Sequence, residues 1–213
     1  MTDRRGHFIS LEGGEGAGKS TLLAGLRAHI AGQGIELVQT REPGGTPVGE
    51  AVRAIVLDPH ARAMAAETEL LLMFASRAQL VRETIAPALA AGRWVLCDRY
   101  VDASYAYQGA GRGQPLERIA ELERWACAGL APDLTLLLDL PVATGRARAA
   151  GRGEADRIET EADAFFERVR ASYRARAAAE PRRFRLIDAG QSAEAVLQAA
   201  IAALAPLLAG HAA

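Results

Sequence analysis

The sequence contains a single lysine, Lys19, although lysine and arginine together number 25. All the other basic residues of this pair are arginine. The Asn-Lys-x-Asp motif that reads guanine in regulatory GTPases needs a lysine of its own, and none is left to form it. The chain also has no Leu-Ser-Gly-Gly-Gln segment of the transporter type. These absences exclude two common classes of nucleotide-binding protein.

Cysteine, histidine and net charge are scarce as well. The two cysteines, Cys97 and Cys127, and the four scattered histidines lack the spacing of a metal motif. The net charge of −1 gives no general attraction to nucleic acid or to an anionic membrane. We therefore expect no nucleic-acid partner, and any site for anions must be local.

No signal-peptide pattern precedes the first apolar run, and we expect no membrane-spanning segment. Two cysteines without a disulfide pattern are typical of a reducing compartment. The composition therefore predicts a cytoplasmic protein with no membrane partner.

The one lysine belongs to a complete G-x-x-x-x-G-K-[ST] phosphate-binding pattern. An apolar run of strand character precedes it and a helical pattern follows, so backbone N–H groups and a helix N-terminus can surround a phosphate. The pattern does not fit the dinucleotide motif G-x-G-x-x-G, and an ordinary glycine-rich turn is the remaining alternative. Lys19 can reach the β- and γ-phosphates of a nucleotide, and the hydroxyl of Ser20 can bind Mg²⁺. The predicted nucleotide-binding residues here, which the resemblance described below assigns to ATP, are Gly13, Gly14, Glu15, Gly16, Ala17, Gly18, Lys19, Ser20 and Thr21.

Apolar runs of strand character alternate with longer helical patterns along the chain. We expect strands at residues 8–11, 35–40, 94–97, 134–138 and 184–187, and helices at 67–91, 116–128, 162–178 and 193–208. The alternation predicts an α/β protein with the three-layer fold of P-loop NTPases, in which a parallel sheet of about five strands is flanked by helices. Ligands bind at the carboxyl ends of such strands. Those ends carry Glu12, Arg41, Glu42, Asp98, Arg99, Asp139 and Asp188.

The length fits one domain that spans residues 1–213. One segment, 145–157, interrupts the alternation because it concentrates arginine and glycine between two helical patterns. It predicts a mobile basic lid within about 141–160, and a solvated loop is the alternative.

Four motifs in one colinear order resemble those of the bacterial thymidylate kinase family. They are the phosphate-loop segment 8–21, Thr-Arg-Glu-Pro-Gly-Gly-Thr at 40–46, Asp-Arg-Tyr at 98–100 with Ala-Tyr-Gln-Gly at 106–109, and Arg-Gly-Glu-Ala-Asp-Arg-Ile-Glu at 152–159. The resemblance implies transfer of the γ-phosphoryl group of ATP to dTMP with Mg²⁺, in the biosynthesis of dTTP. It also implies a homodimer.

The resemblance assigns a set of side chains to dTMP. Arg99 is expected to bind the acceptor phosphate, and Glu15 is expected near the 3′-hydroxyl of the deoxyribose. Tyr107 is expected to crowd the 2′ side of the sugar and so to favour deoxyribose. The other expected dTMP contacts are Arg41, Pro43, Phe74, Arg77, Ser104 and Gln108.

Two positions around the base differ from the family pattern. The family places phenylalanine four residues before the arginine that contacts the base, whereas this chain has Met73 there and Phe74 next to it. Either side chain can therefore pack on thymine. The family serine after the Asp-Arg-Tyr motif is Ala103 here and is followed by Ser104, which shifts the expected hydrogen bond to the base.

The resemblance further implies the catalytic groups Lys19, Arg152, Asp98 and Glu15. Family subgroups supply a catalytic arginine from the phosphate loop or from the flap. This chain has glycine at the loop position and Arg152 in the flap, so it is similar to the flap-arginine subgroup. Asp98, together with Ser20, is expected to act on Mg²⁺.

Two more arginines of the lid segment receive weaker assignments. Arg148 is expected to contact ATP on the adenine side, and Arg157 is expected to reach a phosphate or to pair with Glu154. Two other functions remain open: a nucleoside monophosphate kinase with another acceptor base, and a protein that binds nucleotide without transferring phosphate.

Overall fold

A parallel sheet forms the centre of the molecule, and the computed structural model describes residues 5–150 and 156–211. All strand pairs are parallel, and the strand order is β2-β3-β1-β4-β5. The predicted α/β sheet is confirmed, with each strand close to its expected position. Within the described residues the strands are β1 (Phe8–Gly13), β2 (Leu37–Arg41), β3 (Trp94–Asp98), β4 (Leu134–Asp139) and β5 (Phe184–Asp188).

Helices connect the strands and cover the sheet. In the described part of the chain they are α1 (Lys19–Gly32), α2 (Pro47–Leu57), α3 (Ala66–Leu80), α4 (Ala86–Ala90), α5 (Val101–Ser104), α6 (Leu116–Cys127), α7 (Val142–Ala149), α8 (Asp163–Ala179) and α9 (Ala193–His211). A π-helical turn at Val81–Ile85 links α3 to α4, so the helix predicted at 67–91 is continuous, and a second π-helical segment at Tyr105–Gly111 follows α5. Helices α2, α5 and α7 are not among the predicted ones.

The two faces of the sheet are covered by different helices. Successive side chains of a strand point to opposite faces. In β1, Ile9 and Leu11 therefore pack with Leu26 of α1 and Leu204 of α9. Phe8 points the other way, into a cluster with residues of α3 to α6. Helices on both faces give the predicted three layers.

The strand order brings the charged strand ends to one edge of the sheet. Strand β1 lies between β3 and β4, so the chain leaves its carboxyl end where the direction of the strand order reverses. In the register, Asp98 lies opposite Leu11 on one side and opposite Arg41 on the other. Such a reversal point forms the ligand crevice of open α/β sheets.

Helix α9 bears on the expectation that no segment spans a membrane. Its stretch Ala193–Gly210 has a mean hydropathy of 1.6, which by length and composition alone would suffice to cross a membrane. One face of this helix packs on α1, where Val196, Ala200 and Leu204 are buried. Helices that cover the core of soluble proteins have the same composition, so the stretch is weak evidence for a membrane protein.

Helix α2 begins with a side-chain cap and carries residues toward the crevice. The Oγ1 atom of Thr46 accepts a hydrogen bond from the backbone N–H of Gly49 at 3.0 Å, and Pro47 occupies the first helical position. Thr46 itself is buried. Both residue types are typical of a helix N-terminus.

Replacing Thr46 by alanine removes this cap acceptor and is expected to lower the free energy of unfolding by about 1 kcal/mol. Thr46→Ser retains the hydroxyl and is the matched control. Urea denaturation of the three proteins measures the difference. A stability of Thr46→Ala equal to that of the parent would contradict the assigned role of the cap.

Candidate active site

The phosphate loop joins β1 to α1 at the edge described above. Gly18 caps α1 with φ of 90°, a left-handed conformation that favours glycine. The Lys19 ammonium folds back over the loop and donates to the carbonyl oxygens of Gly13 at 3.2 Å and Gly14 at 3.0 Å. Burial lowers the pKa of Lys19 below its ordinary value, and the nearby charge of Arg99 acts in the same direction. A phosphate at this position would replace carbonyl dipoles by full negative charge.

A cavity of about 260 Å³ opens beside the loop. Its walls come from the loop, from the carboxyl ends of β2 and β3, and from α2, α3 and the π-helical segment after α5. The predicted site residues that line it are Glu15, Gly16, Ala17, Gly18, Lys19, Ser20, Thr21, Arg41, Pro43, Asp98, Arg99, Tyr107 and Gln108. One cavity thus collects predicted donor-side and acceptor-side residues.

Arg99 connects the end of β3 to the phosphate loop. Its Nη1 donates to the carbonyl of Gly13 at 2.9 Å, and its Nη2 pairs with Oε1 of Glu15 at 2.6 Å. The guanidinium lies 4.8 Å from the ring centre of Tyr107. Arg99 has φ of 69°, an uncommon backbone conformation for a residue with a side chain. Such strain persists only where the surroundings fix it, and it concentrates at functional sites.

Tyr107, in the π-helical segment, contacts both Arg99 and Glu15. Its hydroxyl donates to Oε1 of Glu15 at 3.0 Å. Burial raises the pKa of Tyr107 above its ordinary value, so the phenol is neutral and remains a hydrogen-bond donor near neutral pH. Glu15 therefore accepts from both Arg99 and Tyr107.

Asp98 presents an unsatisfied carboxylate oxygen to the site. Its Oδ1 is buried and has no hydrogen-bond partner among the described residues. Asp98 and Ser20 line the same cavity. A buried oxygen without a partner in a native protein needs an explanation, and a missing ion or water is one of the usual ones.

Three predicted base contacts lie behind the cavity wall. Arg77 is fully buried, and it donates to Oε2 of Glu42 at 2.8 Å, to Oγ of Ser104 at 3.0 Å and to the carbonyl of Tyr100 at 3.2 Å. The ring of Phe74 packs under this guanidinium at 4.5 Å. The neighbouring Met73, by contrast, lines the cavity.

Two further predicted contacts line the cavity but already have protein partners. Arg41 donates to Oε2 of Glu50 at 2.8 Å. The side-chain amide of Gln108 donates to Oε1 of Glu69 at 2.8 Å, whereas its own Oε1 has no partner in the described part of the chain. That oxygen can accept a hydrogen bond from a ligand.

Arg148 lies at a second cleft, on the other side of the loop. It shares this cleft with Gly16, Thr21 and Gln191. Its Nη1 donates to the carbonyl of Ala189 at 2.8 Å.

Arg152, the predicted catalytic arginine, lies outside the described residues, as does Glu154. Arg157 is buried and donates to Oε2 of Glu69 at 2.6 Å and to the carbonyl of Val56 at 2.8 Å. It therefore ties the end of the predicted lid to α2 and α3, and among the described residues its carboxylate partner is Glu69.

Several residues that line the cavity were not predicted from the sequence. Arg53 and Leu57 lie on α2, which was not predicted, and Asp156, Ile158 and Glu159 were taken only as parts of a motif. The Thr46-Pro47 pair, which is typical of a helix start, and the aliphatic positions Val52 and Val56 could have indicated an amphipathic helix here.

Comparison with known proteins agrees with this arrangement. The family described as Thymidylate kinase matches residues 11–200. The chain belongs to the thymidylate kinase family. The thymidylate kinase of Alkalilimnicola ehrlichii is 59% identical over 202 residues, which cover 94% of this chain and 93% of that protein. The thymidylate kinases of Pseudomonas putida strain W619 and Ectopseudomonas mendocina are 58% and 56% identical and cover 93% and 95% of this chain, and 96% of each relative.

In this member of the thymidylate kinase family, Lys19 is the one side-chain amine. Its lowered pKa leaves more neutral, nucleophilic amine near neutral pH than an ordinary lysine would have. We expect an amine-reactive acyl ester to modify Lys19 and to inactivate the protein, and we expect ATP to protect it. Peptide mass spectrometry measures the modified fraction.

The α-amino group at the N-terminus of the purified protein provides an internal control for this experiment, because ATP should leave its modification unchanged. Equal modification of Lys19 with and without ATP would contradict the assignment of this lysine to the phosphate site.

Proposed function

We propose that the protein transfers the γ-phosphoryl group of ATP to dTMP, giving dTDP and ADP, in the synthesis of dTTP. One observation carries the proposal. The Lys19 ammonium and the Arg99 guanidinium both donate to the carbonyl oxygen of Gly13, at 3.2 and 2.9 Å. A cation suited to a donor phosphate and a cation suited to an acceptor phosphate therefore lie side by side. Such a pair suits a site that holds two phosphate groups.

Phosphoryl transfer depends mainly on positioning and on electrostatic stabilisation. Lys19 and the N–H groups of the loop bind the β- and γ-phosphates, while Arg99 binds the phosphate of dTMP as a two-pronged donor. Both groups lower the repulsion between two anionic nucleotides. The cavity walls limit the access of water, which would otherwise hydrolyse ATP.

Ser20 and Asp98 are the proposed protein groups for Mg²⁺. The fit is chemical: a hydroxyl and a carboxylate oxygen without a partner among the described residues lie at one cavity. Mg²⁺ prefers oxygen ligands, keeps several waters and needs only one or two protein groups. No group of three potential ligands from histidine, cysteine, aspartate and glutamate exists among the residues the structure describes, which suits such a site. When bound, Mg²⁺ neutralises charge on the phosphates.

In the proposed complex, the sugar and base of dTMP lie in the cavity beside the loop. Glu15 accepts from the 3′-hydroxyl, and the Tyr107 ring excludes a 2′-hydroxyl. Met73 packs on thymine beside Pro43, and Gln108 contributes its unsatisfied oxygen. Because Arg77 is fully buried, contacts of Arg77, Phe74 and Ser104 with the base require that this wall opens when dTMP binds.

We assign the transition-state cation to Arg152 in the lid at 141–160, as in the flap-arginine subgroup. The support comes from Gly16, the loop position at which the other subgroup has arginine. A Cβ atom at Gly16 would lie 1.9 Å from the carbonyl oxygen of Gly145 in α7. With α7 in this position, the loop has no room for a side chain there. Arg148 is assigned to the adenine side, in keeping with its place in the second cleft.

We further propose one cytoplasmic domain over residues 1–213 that forms a homodimer. Leu71 of α3 is 57% exposed, and Leu116 and Trp125 of α6 are 53% and 78% exposed. Helices α3 and α6 pack against each other, so these apolar side chains lie on neighbouring elements. Large exposed apolar groups of this kind are typical of a contact surface.

The function is tested by measuring ADP release from ATP and Mg²⁺ with dTMP, dUMP, GMP, AMP or CMP as acceptor. We expect turnover to be highest with dTMP and to produce dTDP. A higher turnover with another acceptor would assign the protein to a different base. ATP binding without acceptor-dependent ADP release would indicate a nucleotide-binding protein and would contradict the proposal.

Arg152→Ala should lower kcat by about 10³-fold or more, with little change in the KM for ATP, because the arginine acts on charge that develops during transfer. Arg148→Ala removes an arginine from the same segment and is the matched control. It should raise the KM for ATP and leave kcat nearly unchanged. A near-normal kcat in Arg152→Ala would refute the catalytic assignment.

A further inference from the structure

Strand β1 carries a carboxylate in the interior of the protein. Glu12 is fully buried, in a strand whose other core positions include Ile9 and Leu11. Parallel strands covered on both faces are normally apolar throughout. A buried carboxyl group is costly unless it is hydrogen-bonded, so its presence needs a reason beyond packing.

Both oxygens of Glu12 are used. Oε1 accepts from the backbone N–H of Tyr100 at 2.7 Å, and Oε2 accepts from the hydroxyl of Tyr173 in α8 at 2.7 Å. Burial raises the pKa of Glu12 to about 8, the charge of Asp102 adds to this effect, and the charge of Arg99 opposes it.

The Tyr173 hydroxyl also contacts the arginine assigned above to the acceptor phosphate. It accepts from Nη1 of Arg99 at 3.2 Å. The other hydrogen bonds of this guanidinium among the described residues go to Gly13 and Glu15 of the loop segment, and the ring of Tyr107 lies against it. Tyr173 is thus a hydrogen-bond acceptor that reaches Arg99 from a separate element, the helix that follows the lid segment.

We propose that Tyr173, oriented by Glu12, is a positioning residue that fixes the Arg99 guanidinium for the acceptor phosphate. The proposal rests on the proposed function in so far as Arg99 binds that phosphate. Neither Glu12 nor Tyr173 lines the cavity beside the loop. They act by limiting the orientations of Arg99, which lowers the cost of ordering it when the acceptor binds.

Tyr173→Phe removes the hydroxyl and retains the buried ring, which packs with Tyr107 and Val169. We expect the KM for dTMP to rise roughly tenfold, because a hydrogen bond to a charged group is lost. The KM for ATP should change less than about twofold, since Lys19 and the loop keep their contacts. Steady-state kinetics with each substrate varied in turn measures this split.

Tyr105→Phe is the matched control. The Tyr105 hydroxyl also donates to a carboxylate, Oε2 of Glu123, at 2.7 Å, but among the described residues it makes no hydrogen bond with Arg99. It should leave both KM values unchanged. Glu12→Gln is the second variant and should raise the KM for dTMP as Tyr173→Phe does. The double variant should be no worse than either single one if the two residues act as a unit.

An unchanged KM for dTMP in both Tyr173→Phe and Glu12→Gln would overturn the proposal. Equal rises in the KM for dTMP and for ATP would also overturn it, because they would indicate a general loss of structure. Measurements on the parent protein distinguish failure of this proposal from failure of the proposed function. If the parent prefers another nucleoside monophosphate, the same split is measured with that acceptor, whose phosphate Arg99 would bind.

Discussion

The carbonyl oxygen of Gly13 is the reference point of the site, since it accepts from both Lys19 and Arg99. Gly13 is the last residue of the central strand, and it is paired with Leu138 of the neighbouring strand. The sheet therefore fixes the position of this atom before any nucleotide binds. Both cations are thereby held close together before the nucleotides bind, and such preorganisation is what electrostatic catalysis requires. The loop and the residue after β3 supply the charges, while the sheet sets the distance between them.

Four arginines around the crevice each pair with a carboxylate. Arg99 pairs with Glu15, Arg41 with Glu50, Arg77 with Glu42 and Arg157 with Glu69. This explains how a chain with a net charge of −1 can present a site for two polyanions. A carboxylate partner keeps an arginine in place, and an arriving phosphate can then compete for those guanidinium groups that face the cavity. The fully buried Arg77 differs, because its partners leave it no open side in the present structure.

Local patterns predicted the phosphate loop and the strands, because a glycine-rich turn and a buried strand are each set by adjacent residues. The alternation of strands and helices alone also indicated that the charged strand ends meet at one edge of the sheet. The sequence could not predict that Arg77 is buried between Glu42 and Ser104, or that Tyr173 meets Arg99, since these contacts join distant segments. The short α2 was missed although Thr46 and Pro47 are typical of a helix start. The role of Arg152 stays a prediction.

The division between lysine and arginine in this chain has a physical reason as well as a compositional one. The buried arginines satisfy several acceptors at fixed angles: Arg77 contacts Glu42, Ser104 and Tyr100, and Arg99 contacts Gly13, Glu15 and Tyr173. Only a planar group with donors on several sides can do this. At position 19 the requirement is the opposite. The ammonium must leave two carbonyl oxygens and follow a phosphate that moves during the reaction, so a flexible point charge is better suited there than a rigid fork. A Lys19→Arg change would therefore conserve charge and still lose the mobility that this position requires.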